Sequence, residues 1–236
     1  MAMEDNWQGT FSEGVKDGIP VFLGYFPTAV AYGLLTRTSS YTFVQSVLSS
    51  LCNYAGAGQF LTVNLLNAGS AALSIILAVF FLNSRYIFMA SSLSGKLRDR
   101  TSVPGRILCG FAVTDEFFAI ASFKGHPLNY RYIAGLFISN YSGWISGTAV
   151  GYAAGMFLPE ILRQAAMITC YAMFASLLGD QVRANVKALL VFAVSAAINT
   201  LLRLSGIFST GISFLVSMLA AAVVGAIIFT DEEAGL

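Results

Sequence analysis

Eight long apolar segments, separated by short polar stretches, constrain what this chain can fold into more than any other feature. They run over about Ile19–Leu35, Tyr41–Leu66, Ala71–Leu93, Ile107–Phe123, Tyr132–Phe157, Leu162–Leu178, Val186–Leu202 and Ile207–Phe229. Only 11% of the 236 residues are charged, whereas soluble domains carry about 25%. Segments of this length and composition are typical of helices that span a bilayer. The sequence therefore predicts an all-α integral membrane protein, with one polytopic domain over residues 1–236, a polar segment at 1–13 and an acidic tail at 231–236.

The composition and the motif content exclude several classes of function. The net charge of +1 implies no nucleic-acid partner. Three isolated cysteines, Cys52, Cys109 and Cys170, lack the spacing of a disulfide framework or a zinc site. The sequence contains no metalloprotease, phosphate-loop or serine–histidine motif. We therefore expect no metal, no cofactor and no enzymatic activity.

The second apolar segment contains an unusual stretch, Asn53–Phe60, where two glycines stand two residues apart beside an asparagine and a glutamine. Glycine weakens a helix by about 1 kcal/mol relative to alanine and lets other groups approach the backbone closely. In lipid, a helix break is tolerated only where protein or a wet cavity satisfies the freed backbone groups. We therefore predict a helix break that lines a site enclosed by the rest of the chain.

The same segments predict seven full membrane crossings plus one broken or re-entrant segment, and they leave open whether the second segment crosses completely. The loop Lys96–Arg106 holds four of the 13 basic residues, so the positive-inside rule places it in the cytoplasm. The loops Lys124–Arg131 and Arg183–Lys187 are also basic. Both lie on the opposite side if every segment crosses.

Three ionisable residues within the apolar segments are the strongest functional candidates, because charged groups are costly in a bilayer. Arg85 lies in the third segment, and Asp115 and Glu116 lie in the fourth. With a helical rise of about 1.5 Å per residue, Arg85 and Asp115 both lie about 14–15 Å from their connecting loop, near the bilayer midplane. Depth therefore permits an ion pair between them. Either this pair only fixes the packing of two helices, or one carboxylate binds a cation or carries a proton.

Small residues form a regular pattern on the fifth segment. The glycine ridge consists of four glycines spaced four residues apart, Gly143, Gly147, Gly151 and Gly155. Such a ridge lets a neighbouring helix pack closely, and the alternative is a groove that faces a substrate. The fifth segment also contains Thr148–Tyr152, which resembles Thr28–Tyr32 at an offset of 120 residues. This similarity suggests an internal pseudo-repeat, a common feature of transporters.

Several short motifs stand in the same order as in a known family. They are Gly24–Pro27 with Tyr32 and Gly33, Ala55–Phe60, Asn83–Tyr86, Thr114–Phe117, the region of Trp144, and Ala172–Phe174. Over residues 14–180 the chain thereby resembles the AzlC family of branched-chain amino acid permeases. One departure is Tyr86, where a histidine is common in the family, so a proton role of that histidine does not transfer to this chain.

The resemblance implies a secondary transporter that exports amino acids such as Leu, Ile and Val. It implies a multi-pass protein in the plasma membrane of a prokaryote, working with a small AzlD-like membrane subunit. A homo-oligomer is a further expectation. Two alternatives stay open: a partner-dependent subunit that does not itself transport, and a passive channel for small molecules.

An amino acid substrate makes three chemical demands on such a site. Its carboxylate needs N–H donors at the start of a half-helix, its ammonium needs a carboxylate or unwound carbonyls, and its side chain needs an apolar pocket. The candidate substrate-binding residues are Asn53, Gly56, Gly58, Gln59, Phe60, Asn83, Arg85, Asp115, Glu116, Phe117 and Trp144. Asp115 and Glu116 are also the candidates for proton coupling.

Overall fold

The computed structural model describes residues 9–97, 103–124, 127–155, 157, 179, 182–183, 187–208 and 210–228. Within these ranges the elements are helices, apart from an isolated β-bridge between Leu97 and Leu128. In chain order they are α1 (Phe11–Thr38), α2 (Phe43–Cys52), α3 (Gly56–Asn67), α4 (Ala72–Asn83), α5 (Arg85–Ser94), α6 (Val103–Ala112), α7 (Asp115–Phe123), α8 (Tyr130–Ala154), α9 (Lys187–Leu204) and α10 (Thr210–Ile228). The predicted all-α class is confirmed over this part of the chain.

Some sequence-based expectations fall on residues outside the described ranges. They are the sixth apolar segment at 162–178 with Cys170 and Ala172–Phe174, residues 1–8 of the polar segment, 98–102 of the basic loop, and the acidic tail.

Two described helices are long and apolar enough to cross a membrane. They are α1 and the run Ala72–Ser94, which α4 and α5 form together. Shorter apolar helical stretches of 10 to 17 residues are Phe43–Cys52, Val103–Ala112, Leu189–Leu204 and Gly211–Ile227, so helix length alone does not fix the predicted number of crossings.

The chain groups into two compact units. The first contains residues 1–60 and 83–167, and the second contains residues 61–82 and 168–236. The expectation of a single membrane domain stays a prediction. The residues of the candidate site all belong to the first unit.

In the first unit, α1 and α8 lie side by side and run in the same direction. Phe22 of α1 lies against Gly143, and further along Val30 lies against Gly151. A Cβ atom added to Gly151 would overlap the backbone of Val30, so only glycine allows this approach. The glycine ridge therefore packs on α1. Val30 and Gly151 belong to the two similar segments of the predicted pseudo-repeat, which stays a prediction.

Helix α2 runs in the opposite direction to α8. At its start, the Tyr152 hydroxyl donates a hydrogen bond to the carbonyl oxygen of Tyr41 at 2.6 Å. At its end, the Tyr141 hydroxyl donates to the carbonyl oxygen of Leu51 at 2.5 Å. Because Tyr141 lies near the middle of α8, α2 ends about halfway along the unit.

Helices α6 and α7 form a hairpin, where the sequence predicts one crossing helix. Arg85, which begins α5, lies beside Asp115, which begins α7. At the other end of both helices, the Lys96 ammonium donates to the carbonyl oxygen of Ser122. Helix α7 therefore returns to the end at which α5 finishes. The helix is interrupted at Val113–Thr114, because Thr114 is extended and its hydroxyl caps α7.

The two basic loops of the first unit lie at the same end of it. The backbone N–H of Leu128 donates to the carbonyl oxygen of Lys96 at 2.8 Å. Lys124 forms an ion pair of 2.7 Å with Asp17, in the second turn of α1. The sequence expectation that these loops lie on opposite sides assumed that the fourth segment crosses, and the hairpin removes that assumption.

The second unit contains a small apolar cluster and one helix pair. Leu65, Ile75 and Ala78 are buried against one another, with Phe214 packed beside them. Helices α9 and α10 pack together, and the Ser195 hydroxyl donates to the carbonyl oxygen of Ser217 at 3.4 Å.

Candidate functional site

Three interruptions of helical structure flank the predicted polar motifs. They are Asn53–Ala55 between α2 and α3, Ser84 between α4 and α5, and Val113–Thr114 between α6 and α7. The sequence predicts the first one. The other two adjoin Arg85 and Asp115, which the sequence places within continuous helices.

Tyr25 of α1 connects two of these interruptions. Its ring packs edge-on against the Tyr54 ring, with 6.1 Å between centroids. Its hydroxyl lies 2.8 Å from the hydroxyl oxygen of Thr114 and also contacts the Glu116 carboxylate. The predicted break and the predicted charged cluster therefore meet around one tyrosine.

The two glycines of the predicted break each make room for one side chain. A Cβ atom on Gly56 would lie 2.8 Å from the ring of Trp144, and one on Gly58 would lie 2.9 Å from the amide nitrogen of Asn83. Both separations are shorter than normal contacts between such atoms. The glycines thus permit a close approach of α8 and of the end of α4 to the first turn of α3.

Gln59 is buried and bonded at both ends. Its side-chain oxygen accepts a hydrogen bond of 2.8 Å from the Trp144 indole N–H, and its nitrogen donates to Ser50 at 3.2 Å. Ser50 in turn lies 2.8 Å from the hydroxyl of Thr148. This network ties α2, α3 and α8 together, and it satisfies the polar groups of Gln59 without a substrate.

Arg85 and Asp115 form the predicted ion pair. The distance from Nη1 to Oδ1 is 2.8 Å, and the two side chains are 36% and 31% exposed. The guanidinium also lies over the ring of Tyr86, at 5.2 Å from its centroid. Asp115 is therefore the carboxylate that neutralises Arg85, a choice that the sequence leaves open.

Three buried polar atoms around these groups make no hydrogen bond in the described part of the structure. They are the hydroxyl oxygen of Tyr54, the amide oxygen Oδ1 of Asn83 and the Nε of Arg85. Buried polar groups are almost always paired. Two of the three atoms, on Asn83 and Arg85, flank the interruption at Ser84, and the third lies in the predicted break.

The predicted apolar walls lie deeper than the polar groups. Phe60 and Phe117 are completely buried, and Trp144 is 3% exposed. Phe60 packs edge-on against Tyr32 at 5.4 Å, and Phe117 lies in the core formed by α5 to α8. In this structure these three rings fill the protein interior, and their part in a substrate pocket stays a prediction.

Sequence reasoning missed Tyr25, Tyr54 and Thr114 as site residues. Their signal is present, because a tyrosine or threonine hydroxyl within an apolar segment needs a partner. Tyr54 even lies in the predicted break. The hydroxyls could not be ranked from sequence, because the chain has 10 tyrosines and only the fold shows which of them meet.

The described residues contain no group of three or more His, Cys, Asp or Glu side chains that could hold a metal ion. What the site offers is one guanidinium, one paired carboxylate, a second carboxylate and several hydroxyls.

Fold and site together define an integral membrane protein with a polar site at interrupted helices. The family model described as "AzlC protein" matches residues 20–158, a range that contains the site residues from Tyr25 to Trp144. The chain belongs to the AzlC family, and the resemblance read from the motifs is confirmed.

Three relatives illustrate the range of similarity. The chain is 34% identical over 184 residues to an uncharacterized membrane protein of Archaeoglobus fulgidus, covering 75% of this chain and 80% of that protein. It is 34% identical over 150 residues to inner membrane protein YgaZ of Escherichia coli, covering 62% and 61% of the two chains. It is 22% identical over 143 residues to the branched-chain amino acid transport protein AzlC of Bacillus subtilis, covering 59% and 56%. No solved structure matches the chain.

Proposed function

We propose that this protein is a secondary transporter that exports branched-chain amino acids across the plasma membrane of a prokaryote. One observation carries the proposal: interrupted helices bring Arg85 and a second, separately held carboxylate, Glu116, to one place in a very apolar protein. A zwitterion needs a cation for its carboxylate and an anion for its ammonium. The chain is related to a protein that is named for branched-chain amino acid transport, and this relationship supports the substrate class.

The first turn of α3 and Arg85 receive the substrate carboxylate. Helix N-termini carry a partial positive charge, as in transporters with discontinuous helices. Arg85 has an unpaired buried Nε–H to offer in addition to the nitrogen that holds Asp115. Asn53, the first residue of the interruption before α3, is half-buried.

The chain crosses the membrane fewer times than its apolar segments suggest. The hairpin of α6 and α7 enters from the end where α5 finishes and returns to that end, so the fourth segment is re-entrant. Its tip, Val113–Thr114, and the end of α2 both lie near the middle of the first unit. Backbone groups freed at such tips are tolerated because protein surrounds them.

The end that carries both basic loops faces the cytoplasm. Lys96, Lys124 and Arg131 lie at this end, whereas Arg37 lies at the opposite end of α1. An excess of basic residues marks cytoplasmic loops. The start of α1 is then also cytoplasmic.

Counterflow in proteoliposomes tests the transport proposal. Vesicles loaded with unlabelled leucine should accumulate external labelled leucine transiently and saturably, and isoleucine and valine should compete whereas lysine and glutamate should not. A matched control carries Arg85→Gln, which removes the cation and should abolish exchange in protein that still inserts. Non-saturating flux of leucine contradicts a carrier and supports a channel.

A small AzlD-like membrane subunit is the partner we propose for the assembled transporter. The proposal is supported by family membership. Co-expression with such a subunit should yield a complex that survives purification in mild detergent. Leucine exchange that appears only in that complex assigns this chain the role of a partner-dependent subunit.

A further inference from the structure

The two adjacent carboxylates at the start of α7 have different partners. Asp115 forms an ion pair with Arg85 at 2.8 Å. Glu116 contacts the hydroxyl of Tyr25, a neutral group, and among the described residues it forms no ion pair. A carboxylate in an apolar unit without a cation is costly unless it is protonated or binds a cationic ligand.

A second, independent observation indicates a ligand at Glu116. Tyr54 is 6% exposed, and its hydroxyl makes no hydrogen bond in the described structure. This hydroxyl lies near the Glu116 carboxylate and near the hydroxyls of Tyr25 and Thr114, but without hydrogen-bond geometry to any of them. A group that satisfies this hydroxyl would therefore lie between a carboxylate and several hydroxyl oxygens.

An alkylammonium group fits this set of acceptors. It carries three N–H donors and one positive charge, and the site offers the Glu116 carboxylate with the oxygens of Tyr54 and Thr114. The other charged and titratable groups that face Glu116 are the Arg85–Asp115 pair, Tyr25 and Tyr86. Of these, the ion pair is internally neutral and the tyrosines are uncharged.

Resting on the proposed function, we propose that Glu116 with Tyr25 and Tyr54 is the substrate's ammonium subsite, and that a proton replaces the ammonium there in the return step. Asp115 is a fixed counter-ion of Arg85 and takes no part in the exchange. This assigns the two candidate carboxylates different roles.

At the Glu116 subsite, the exchange replaces one positive charge with another. When the ammonium leaves on the outer side, the Glu116 carboxylate takes up one proton from water on that side. It returns this proton to water on the cytoplasmic side before the next ammonium binds, so one amino acid moves out for each proton that moves in. In both loaded states Glu116 and the group bound to it, ammonium or proton, are together neutral, which avoids an unpaired carboxylate in the membrane interior. Because the amino acid as a whole is uncharged, each cycle moves one positive charge inward.

Two analogues of leucine separate the subsites in the reconstituted full-length protein. Isopentylamine lacks the carboxylate of leucine, and isocaproate lacks its ammonium. Glu116→Gln should weaken leucine binding and inhibition by isopentylamine about tenfold or more, because a charge-assisted contact is lost. Inhibition by isocaproate should stay unchanged, and a pH gradient should no longer drive transport.

Two further variants make the comparison specific. Tyr54→Phe removes only the unpaired hydroxyl and should reduce inhibition by isopentylamine about threefold to tenfold. Glu13→Gln changes a carboxylate that caps the exposed start of α1 and should leave both inhibitors and the pH dependence unchanged.

The ammonium subsite is overturned if Glu116→Gln is inhibited by isopentylamine as strongly as the wild type and still transports leucine in response to a pH gradient. Wild-type protein without leucine exchange, both alone and with the small partner subunit, overturns the proposed function instead. In that event, thermal stabilisation of the purified protein by isopentylamine still tests the ammonium subsite. Stabilisation of the wild type but not of Glu116→Gln supports the subsite. Equal shifts of Tm in both proteins reject the subsite. If Glu116→Gln does not purify as a folded protein, Tyr54→Phe gives the same decision.

Discussion

Gln59 and Arg85 are both polar side chains in apolar segments, and the structure gives them different roles. Gln59 is bonded at both ends, to Trp144 and Ser50, so it holds helices together. Arg85 is paired through one nitrogen and leaves a buried Nε–H unpaired. The number of hydrogen bonds that remain to be satisfied separates a structural group from a candidate ligand-binding group.

Paired variants of Arg85 and Asp115 separate the packing role of the ion pair from its role in transport. Arg85→Gln or Asp115→Asn alone leaves an uncompensated charge and should destabilise the protein. Because both side chains are about a third exposed, we expect about 1–2 kcal/mol, less than for a fully buried pair. The double variant should recover much of this loss in thermal unfolding in detergent.

The transport assay on the same variants completes this prediction. If Arg85 binds the substrate carboxylate, the double variant stays inactive although its stability recovers. Recovery of leucine exchange together with stability would show that the pair serves only to pack α5 against α7.

At the scale of the element, what matters is where helices are interrupted and which helices approach each other closely. Thr114 interrupts the helix of the fourth apolar segment. Its hydroxyl caps α7, which places Asp115 and Glu116 in the first turn of that helix. The first turn is also where carboxylates are stabilised by the helix dipole. The glycine ridge acts on packing instead, since it lets α1 approach α8 closely from Phe22 to Leu34.

Substitutions along this contact test the packing role of the ridge. Gly151→Ala adds a Cβ that overlaps the Val30 backbone, so we expect a loss of about 1–3 kcal/mol, measured as a lower Tm in detergent. Gly24→Ala is the matched control, because a Cβ at Gly24 meets nothing within 4 Å. Equal Tm values for the two variants would contradict the close packing of α1 and α8.

At the scale of the molecule, the direction of α8 constrains the path of the chain. Because α1 and α8 run in the same direction, an odd number of complete crossings must separate them. A re-entrant fourth segment then requires that only one of the second and third segments crosses. The run Ala72–Ser94 is long and apolar enough to do so, so in the proposed topology the second segment is the other non-crossing one.

Cysteine accessibility tests this topology in a version of the protein without native cysteines. Val103→Cys at the exposed start of α6 and Pro127→Cys in the following loop should react with an impermeant maleimide from the same, cytoplasmic side. Thr38→Cys at the end of α1 should react from the opposite side. Labelling of positions 103 and 127 from different sides would mean that the fourth segment crosses the membrane.

The sequence by itself determined the class of the protein and the identity of its unusual residues. Low charge and long apolar segments leave few alternatives to helices in a membrane, because the bilayer forces backbone groups to bond internally. The cost of burying charge marks Arg85, Asp115 and Glu116 without any structure. Glycines in an apolar segment likewise mark the break at Asn53–Phe60.

Only the tertiary structure decided which of these residues act together. Asp115 rather than Glu116 pairs with Arg85, and Glu116 meets Tyr25, a residue 91 positions away in the chain. The return of α7 to the end where α5 finishes is also a tertiary property, because a hairpin and a crossing helix of the same composition bury similar apolar surface. Local sequence fixes the energy of each helix, whereas contacts between distant segments fix its direction and its partners.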